Sequence, residues 1–145
     1  MPAARPKERV FLDANVLFSA AYLQYSVLRG LWRLKGVELL SSSYAVEEAR
    51  RNLSEDRPEA LGRLDELVKS MKLVEEAQDQ DLPDSVRIDA KDKPILRAAI
   101  SGGSGHLLTG DKQHFGHLYG KIVQGVSIWR PADYLLSRRR KRRSP

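Results

Sequence analysis

The chain has 145 residues, 41% of them hydrophobic, which suffices for one domain with one core and argues against wholesale disorder. It contains no cysteine, which excludes disulfides and thiolate metal sites. No apolar run approaches the roughly 20 residues that span a bilayer, and no apolar segment precedes the first strand as in a secretory signal, so a cytoplasmic protein without membrane contact is expected. The net charge of +6 is carried by one segment: Arg138-Arg139-Arg140-Lys141-Arg142-Arg143 holds six positive charges. Without those six, 19 basic residues face 19 acidic ones, and the body is neutral. Such a tail reads as an arm that attracts phosphate backbones, or as a solvated end.

Arg9 to Asp13 is a compact apolar run and predicts a buried strand. A helix follows on Val16, Leu17, Ala20 and Leu23, with Asn15 as a possible N-cap. Val27, Leu28, Leu31, Trp32 and Leu34 predict a second helix that stops at Gly36. Val37 to Ser41 is a second strand, and serines 41 to 43 offer caps for a helix through Ala45, Val46, Ala49 and Leu53. Pro58 opens another helix whose stripe Leu61, Leu64, Leu67, Val68 and Met71 suits either the core or an interface.

Lys72 to Glu75 is a third short strand, and 76–91 reads as a polar loop. Asp92-Lys93-Pro94 starts the clearest helix, with Ile95, Leu96, Ala98, Ala99 and Ile100 on its apolar face. The Gly-rich Ser101 to Gly105 ends that helix and enters a strand. This order is the reverse of a phosphate-cradling loop, and a helix C-cap explains it. Residues 106–109 form strand four, and Val126 to Trp129 strand five, followed by a helical turn from Pro131. The division expected is a flexible 1–8, a domain over 9–136 and a basic tail over 137–145. Alternating strands and helices favour a parallel sheet covered on both faces.

In such a sheet, ligands bind beyond the carboxyl ends of the strands. Asp13 ends strand one and Asp111 follows strand four. Asp92 starts a helix running antiparallel to the strands, and Glu48 lies in the first turns of the helix after strand two. Four acids distant in sequence thus converge on one edge. Each has a simpler explanation: Asp92 as an N-cap, Glu48 as an acid stabilising a helix start, Asp111 as a turn former. Asp13 is the hardest to dismiss, because a buried carboxylate is costly unless paired. Two bare carboxylates about 4 Å apart repel by roughly 4 kcal/mol at an effective dielectric of 20, so a cluster demands cations or raised pKa values. Oxygen-only ligands suit Mg²⁺ or Mn²⁺, which could support phosphodiester hydrolysis.

The stretches VFLDANVLFSA, SSSYAVEEARRNL, DKPILRAAISGGSGHLLTGDKQHFGHLYG and GVSIWRPADYLL resemble the PIN-domain family, in particular the VapC-like toxins of toxin–antitoxin pairs. The resemblance runs from about residue 9 to 136. It implies a three-layer α/β/α sandwich with a parallel sheet of about five strands and a metal-dependent endoribonuclease that leaves a 5′-phosphate. It maps the catalytic and metal-binding acids onto Asp13, Glu48, Asp92 and Asp111, with Asp89 matching a less critical acid upstream. Asn15 would brace Asp13 or a metal-bound water, and Thr109 would support the site. Where many members carry a further acid, this chain has His114, which either touches a phosphate or packs. The expected partners are RNA, a cognate antitoxin and a second copy of the chain. A silent RNA-binding or scaffold protein on the same fold is the alternative. His106, His117, Trp32 and Trp129 read as structural.

Overall fold

The computed structural model describes residues 7–75, 82 and 86–143. The flexible start expected for 1–8 lies largely outside these residues, as do 76–81 and 83–85 of the expected loop. Among the described residues, six strands form one sheet in the order β3-β2-β1-β4-β6-β5. They are β1 (Glu8–Leu12), β2 (Val37–Ser41), β3 (Lys72–Leu73), β4 (His106–Leu108), β5 (Ile122–Val123) and β6 (Val126–Trp129). Five are mutually parallel, as expected, and β5 runs antiparallel to β6 at the edge. β5 has only two residues, too few for a periodic signal. Its turn to β6 is Gln124-Gly125, both at positive φ, the conformation that joins tight hairpins.

The helices are α1 (Ala14–Tyr22), α2 (Ser43–Asp56), α3 (Leu61–Lys69), α4 (Lys93–Ser101), α5 (Lys112–Phe115) and α6 (Pro131–Arg143). Val10, Phe11 and Leu12 of β1 are fully buried at the centre of the sheet. α1 turns Val16, Leu17, Ala20 and Ala21 inward and packs on α2 and α3. Leu23 lies beyond the helix end and is half exposed, contrary to the helical reading. No glycine closes α1. Two guanidinium groups do so instead: Arg29 donates to the carbonyls of Ala20 and Leu23, and Arg63 to those of Ala21 (2.8 Å) and Tyr22 (2.9 Å).

The second predicted helix is a 3₁₀ segment over Val27–Arg33, in which the Trp32 indole donates to the Leu67 carbonyl. Ser42 caps α2 through the Ala45 amide, and α2 buries the four residues expected of it. A 3₁₀ turn at Pro58–Ala60 precedes α3. The stripe on α3 is core: Leu64 is fully buried, and Leu61, Leu67, Val68 and Met71 pack against the central cluster. α4 ends in Gly103 at φ +71, so the Gly-rich stretch is a helix end as the sequence indicated.

The basic tail differs from an extended arm, because residues 138–143 continue α6. Arg138 turns into the fold, pairing with Glu8 and donating to the Lys35 carbonyl. Glu8 also meets His106, whose other ring nitrogen accepts the Trp129 indole hydrogen. His106 and Trp129 are thus tied into the fold by hydrogen bonds to neighbouring side chains. Side chains of Lys141, Arg142 and Arg143 lie outside the described residues. No described helix is long and apolar enough to cross a membrane.

The α1 cap is testable. Arg63→Met should lower stability by about 1–3 kcal/mol in urea unfolding. Arg63→Lys should recover little, because an ammonium lacks the planar fork that reaches two carbonyls.

Candidate metal centre at the carboxyl edge of the sheet

Strand order reverses between β1 and β4, since β2 and β3 lie on one side and β6 and β5 on the other. Leu12 pairs with Leu108 there, so the residues that follow both strands emerge side by side. The Asp13 amide still donates to the Leu108 carbonyl at 3.0 Å. Asp13, rather than Asn15, caps α1: its Oδ1 accepts the Ala14 amide and its carbonyl accepts Val16 and Leu17.

Thr109 holds the other carboxylate oxygen. Its hydroxyl donates to Asp13 Oδ2 at 2.8 Å and accepts from Asn15 Nδ2 (3.3 Å) and the Asp111 amide (3.1 Å). One donor and two lone pairs are the full capacity of a hydroxyl, and the residue is fully buried. Asn15 also donates to Asp13 Oδ2 and accepts the Gly110 amide at 2.7 Å. It therefore bridges the ends of the two strands. A Cβ on Gly110 would sit 3.3 Å from Asn15 Oδ1, so this close approach favours glycine. The Tyr119 hydroxyl secures the same turn through the Thr109 carbonyl.

Asp111 caps α5, with Oδ1 accepting the His114 amide and Oδ2 lying 2.7 Å from His114 Nδ1. Asp92 stands at the start of α4 but makes no capping hydrogen bond. Its Oδ2 is 3.2 Å from His114 Nδ1, buried, and without a hydrogen-bond partner. Nδ1 can carry only one hydrogen, and the nearer Asp111 oxygen takes it. Tyr44 donates to the Lys91 carbonyl at 2.9 Å and steadies the approach to Asp92.

Asp13, Glu48, Asp92 and Asp111 line one open cavity of about 630 Å³. The four acids singled out in the sequence thus come together, and Asn15 joins them in the wall. Asn52, Glu55 and Asp56 extend that wall along α2 and were not singled out. Their spacing of four, seven and eight from Glu48 is that of one helix face and was the available signal. His114 was left between phosphate contact and packing. In this structure its ring lies against the carboxylates of Asp92 and Asp111.

Burial pushes the Asp13 carboxyl up to about 6, despite the opposing hydrogen bonds from Thr109 and Ala14, and the Glu48 and Asp92 charges push the same way. Asp92 is also raised, first by burial and partly against the influence of His114. The edge therefore carries more negative charge than its surroundings compensate.

These observations define an α/β sandwich with an acidic cluster at its topological switch point. The chain matches the PIN domain over residues 9–113, most of its length, and it belongs to the PIN-domain family. Its fold is similar to that of a chain in the crystal structure of VapBC2 from Rickettsia felis bound to a DNA fragment from their promoter. That match has a TM-score of 0.62 and 15% identity, covering 84% of this chain and 98% of that one. No curated protein matches the sequence.

The Asp13 shift has a measurable consequence. Between its ordinary value of 3.8 and about 6, the folded state holds the proton that the unfolded state has released. Stability of metal-free protein should thus fall as pH rises through that window, by about 2–3 kcal/mol. Urea midpoints from pH 4 to 8 should show this fall in the wild type, and Asp13→Asn should flatten it.

Proposed function

We propose that this chain is a divalent-metal-dependent endoribonuclease, acting in the cytoplasm as the toxin of a toxin–antitoxin pair, with Asp13, Glu48, Asp92 and Asp111 as its catalytic and metal-binding set. The observation that carries the reading is the gathering of four carboxylates in one open cavity, where a buried Asp92 oxygen has no hydrogen to accept. Membership of the PIN-domain family, whose members are nucleases, supports phosphodiester hydrolysis. The likeness in fold to a chain of VapBC2 supports a cognate antitoxin. A homodimer rests on the family resemblance.

The residues fit a hard divalent cation. The donors at the cavity are carboxylate oxygens, as Mg²⁺ and Mn²⁺ prefer, and their mutual repulsion calls for positive charge. Asp13, Asp92 and Asp111 would hold the ion, with Glu48 directly or through water. When bound, it supplies the charge that lowers the pKa of a water and offsets negative charge developing on the scissile phosphate. The chain's own residues prepare the site. Thr109 and Asn15 fix the orientation of Asp13, and His114 fixes Asp111. Asn52, like Asn15, offers an uncharged hydrogen-bonding group in a wall rich in carboxylates. No side chain is required as a nucleophile, and the family resemblance points to a 5′-phosphate product.

The basic end of α6 would add attraction for RNA. Arg139 and Arg140 are exposed, and Arg138 pairs with Glu8. A chain ending at Arg138 keeps that tie and loses the remaining charges. It should bind RNA more weakly and with a shallower salt dependence than the full chain. Equal affinity and equal slope would remove the role of Arg139, Arg140, Lys141, Arg142 and Arg143.

Cleavage of labelled single-stranded and structured RNA tests the main reading. Cutting should require Mg²⁺ or Mn²⁺, stop with EDTA, and fall at least about 100-fold in Asp13→Asn and Asp111→Asn. Equal cutting by all three proteins, or cutting in EDTA, would refute the assignment. RNA binding without cleavage would favour the silent RNA-binding alternative.

A further inference from the structure

The cavity at the carboxyl edge holds about 630 Å³, a size that admits an organic group besides an ion. Its lining changes character along the helices. Asp13, Asp92 and Asp111 stand where strands end and α4 begins. One helical turn further, Phe18 lies four residues beyond Ala14 on α1, and Asn52 four beyond Glu48 on α2, and all four line the cavity. Glu55 and Asp56 continue the same wall. None of the described lining residues is basic, so this part of the cavity repels the phosphates of RNA. A strand whose scissile phosphate lies among cation-bound acids must present an uncharged group here, and the neighbouring uncharged group is a nucleobase.

Phe18 is suited to receive one. It packs against the core, is half-buried, and keeps part of its surface in the cavity wall. Tyr22 lies beside it, with ring centroids 5.1 Å apart and planes inclined at 37°, and the Arg57 guanidinium stands 4.2 Å from the Tyr22 centroid. This row holds Phe18 in place before any ligand arrives, which spares the ordering cost of binding. Stacking on an aromatic ring suits any base, because each has a π face. The polar groups nearby are more selective. Ionised carboxylates accept hydrogen bonds and donate none. Glu55 and Asp56 thus match the exocyclic amino group of cytosine and oppose the O4 carbonyl that uracil carries at that position.

We propose that this part of the cavity is a nucleobase subsite, in which Phe18 stacks an unpaired base beside the scissile phosphate, and Asn52, Glu55 and Asp56 select an amino-bearing base, cytosine over uracil. The proposal rests on the nuclease reading and narrows it. The substrate is RNA that is single-stranded at the cut, because pairing and stacking in a duplex occupy both the ring face and the amino group. Phe18 and Asn52 thereby bind substrate and stand outside the metal-holding set.

Cleavage of labelled oligouridylate, with and without one central cytidine, by the full chain in Mn²⁺ tests it. The kcat/KM should be at least about fivefold higher for the cytidine-containing oligomer, with the cut beside that residue. Phe18→Leu keeps an apolar side chain for the core but loses the ring, and should lower kcat/KM about tenfold on both oligomers. Phe18→Trp should restore it. Glu55→Ala combined with Asp56→Ala, both at exposed positions, should cut the two oligomers at similar rates and still require the metal. Equal cutting of both oligomers by the wild type, or a Phe18→Leu variant that cuts as the wild type does, would overturn the proposal and leave the nuclease reading standing. If neither oligomer is cut, fluorescence anisotropy on the same oligomers decides. Tighter binding of the cytidine-containing one, weakened by Phe18→Leu, would refute the nuclease reading and keep the subsite. Equal binding would overturn both.

Discussion

The hydroxyl of Thr109 is the joint on which the carboxyl edge depends. It is buried, it uses its whole hydrogen-bonding capacity, and it ties the end of β4 to the carboxylate that follows β1. Without it, Asp13 would keep the Ala14 amide and Asn15 but lose its shortest contact to β4. Sheet register supplies the proximity, because Leu12 and Leu108 are paired neighbours. The hydroxyl converts that proximity into a fixed orientation. Asn15 repeats the link through the Gly110 amide, and the close approach at Gly110 permits it.

A fixed carboxylate among other carboxylates is an electrostatic liability. Asp13 is raised to about 6 by burial and by its acidic neighbours, and Asp92 moves the same way. A protein built only for stability would not gather these groups. The strain is local, because the rest of the chain is well packed: the sheet centre, α1 and α4 bury continuous apolar faces around it. Charge at one edge is tolerated by the stability of the frame, and a divalent cation is the simplest way to offset it. His114 gives Asp111 a hydrogen-bond partner within the chain, and one buried Asp92 oxygen is left without a donor.

Much of this was legible in the sequence. The apolar run before Asp13, the helical spacing after Asp92 and the strand that stops at Thr109 sufficed to place three acids at one edge. The helical spacing around Glu48 added the fourth. What remained hidden follows from contacts that no local pattern encodes. The α1 end is closed by Arg29 and Arg63 from other parts of the chain, where sequence rules look for glycine. The role of Asn15 moved from capping a helix to bridging two strands, because Asp13 already supplied the cap. Arg138 was counted with a solvated tail, yet Glu8, 130 positions away, draws it into the fold. β5 is set by a two-residue turn at positive φ and by pairing with β6, and a two-residue strand has no period to read.

The account stands or falls on whether this edge binds a cation. Crystals grown with Mn²⁺, with data collected for anomalous signal, address it most directly. The account predicts a difference peak among the carboxylates of Asp13, Asp92 and Asp111. A map from Mn²⁺-saturated crystals with no peak at that edge, while the four side chains remain ordered, would contradict it.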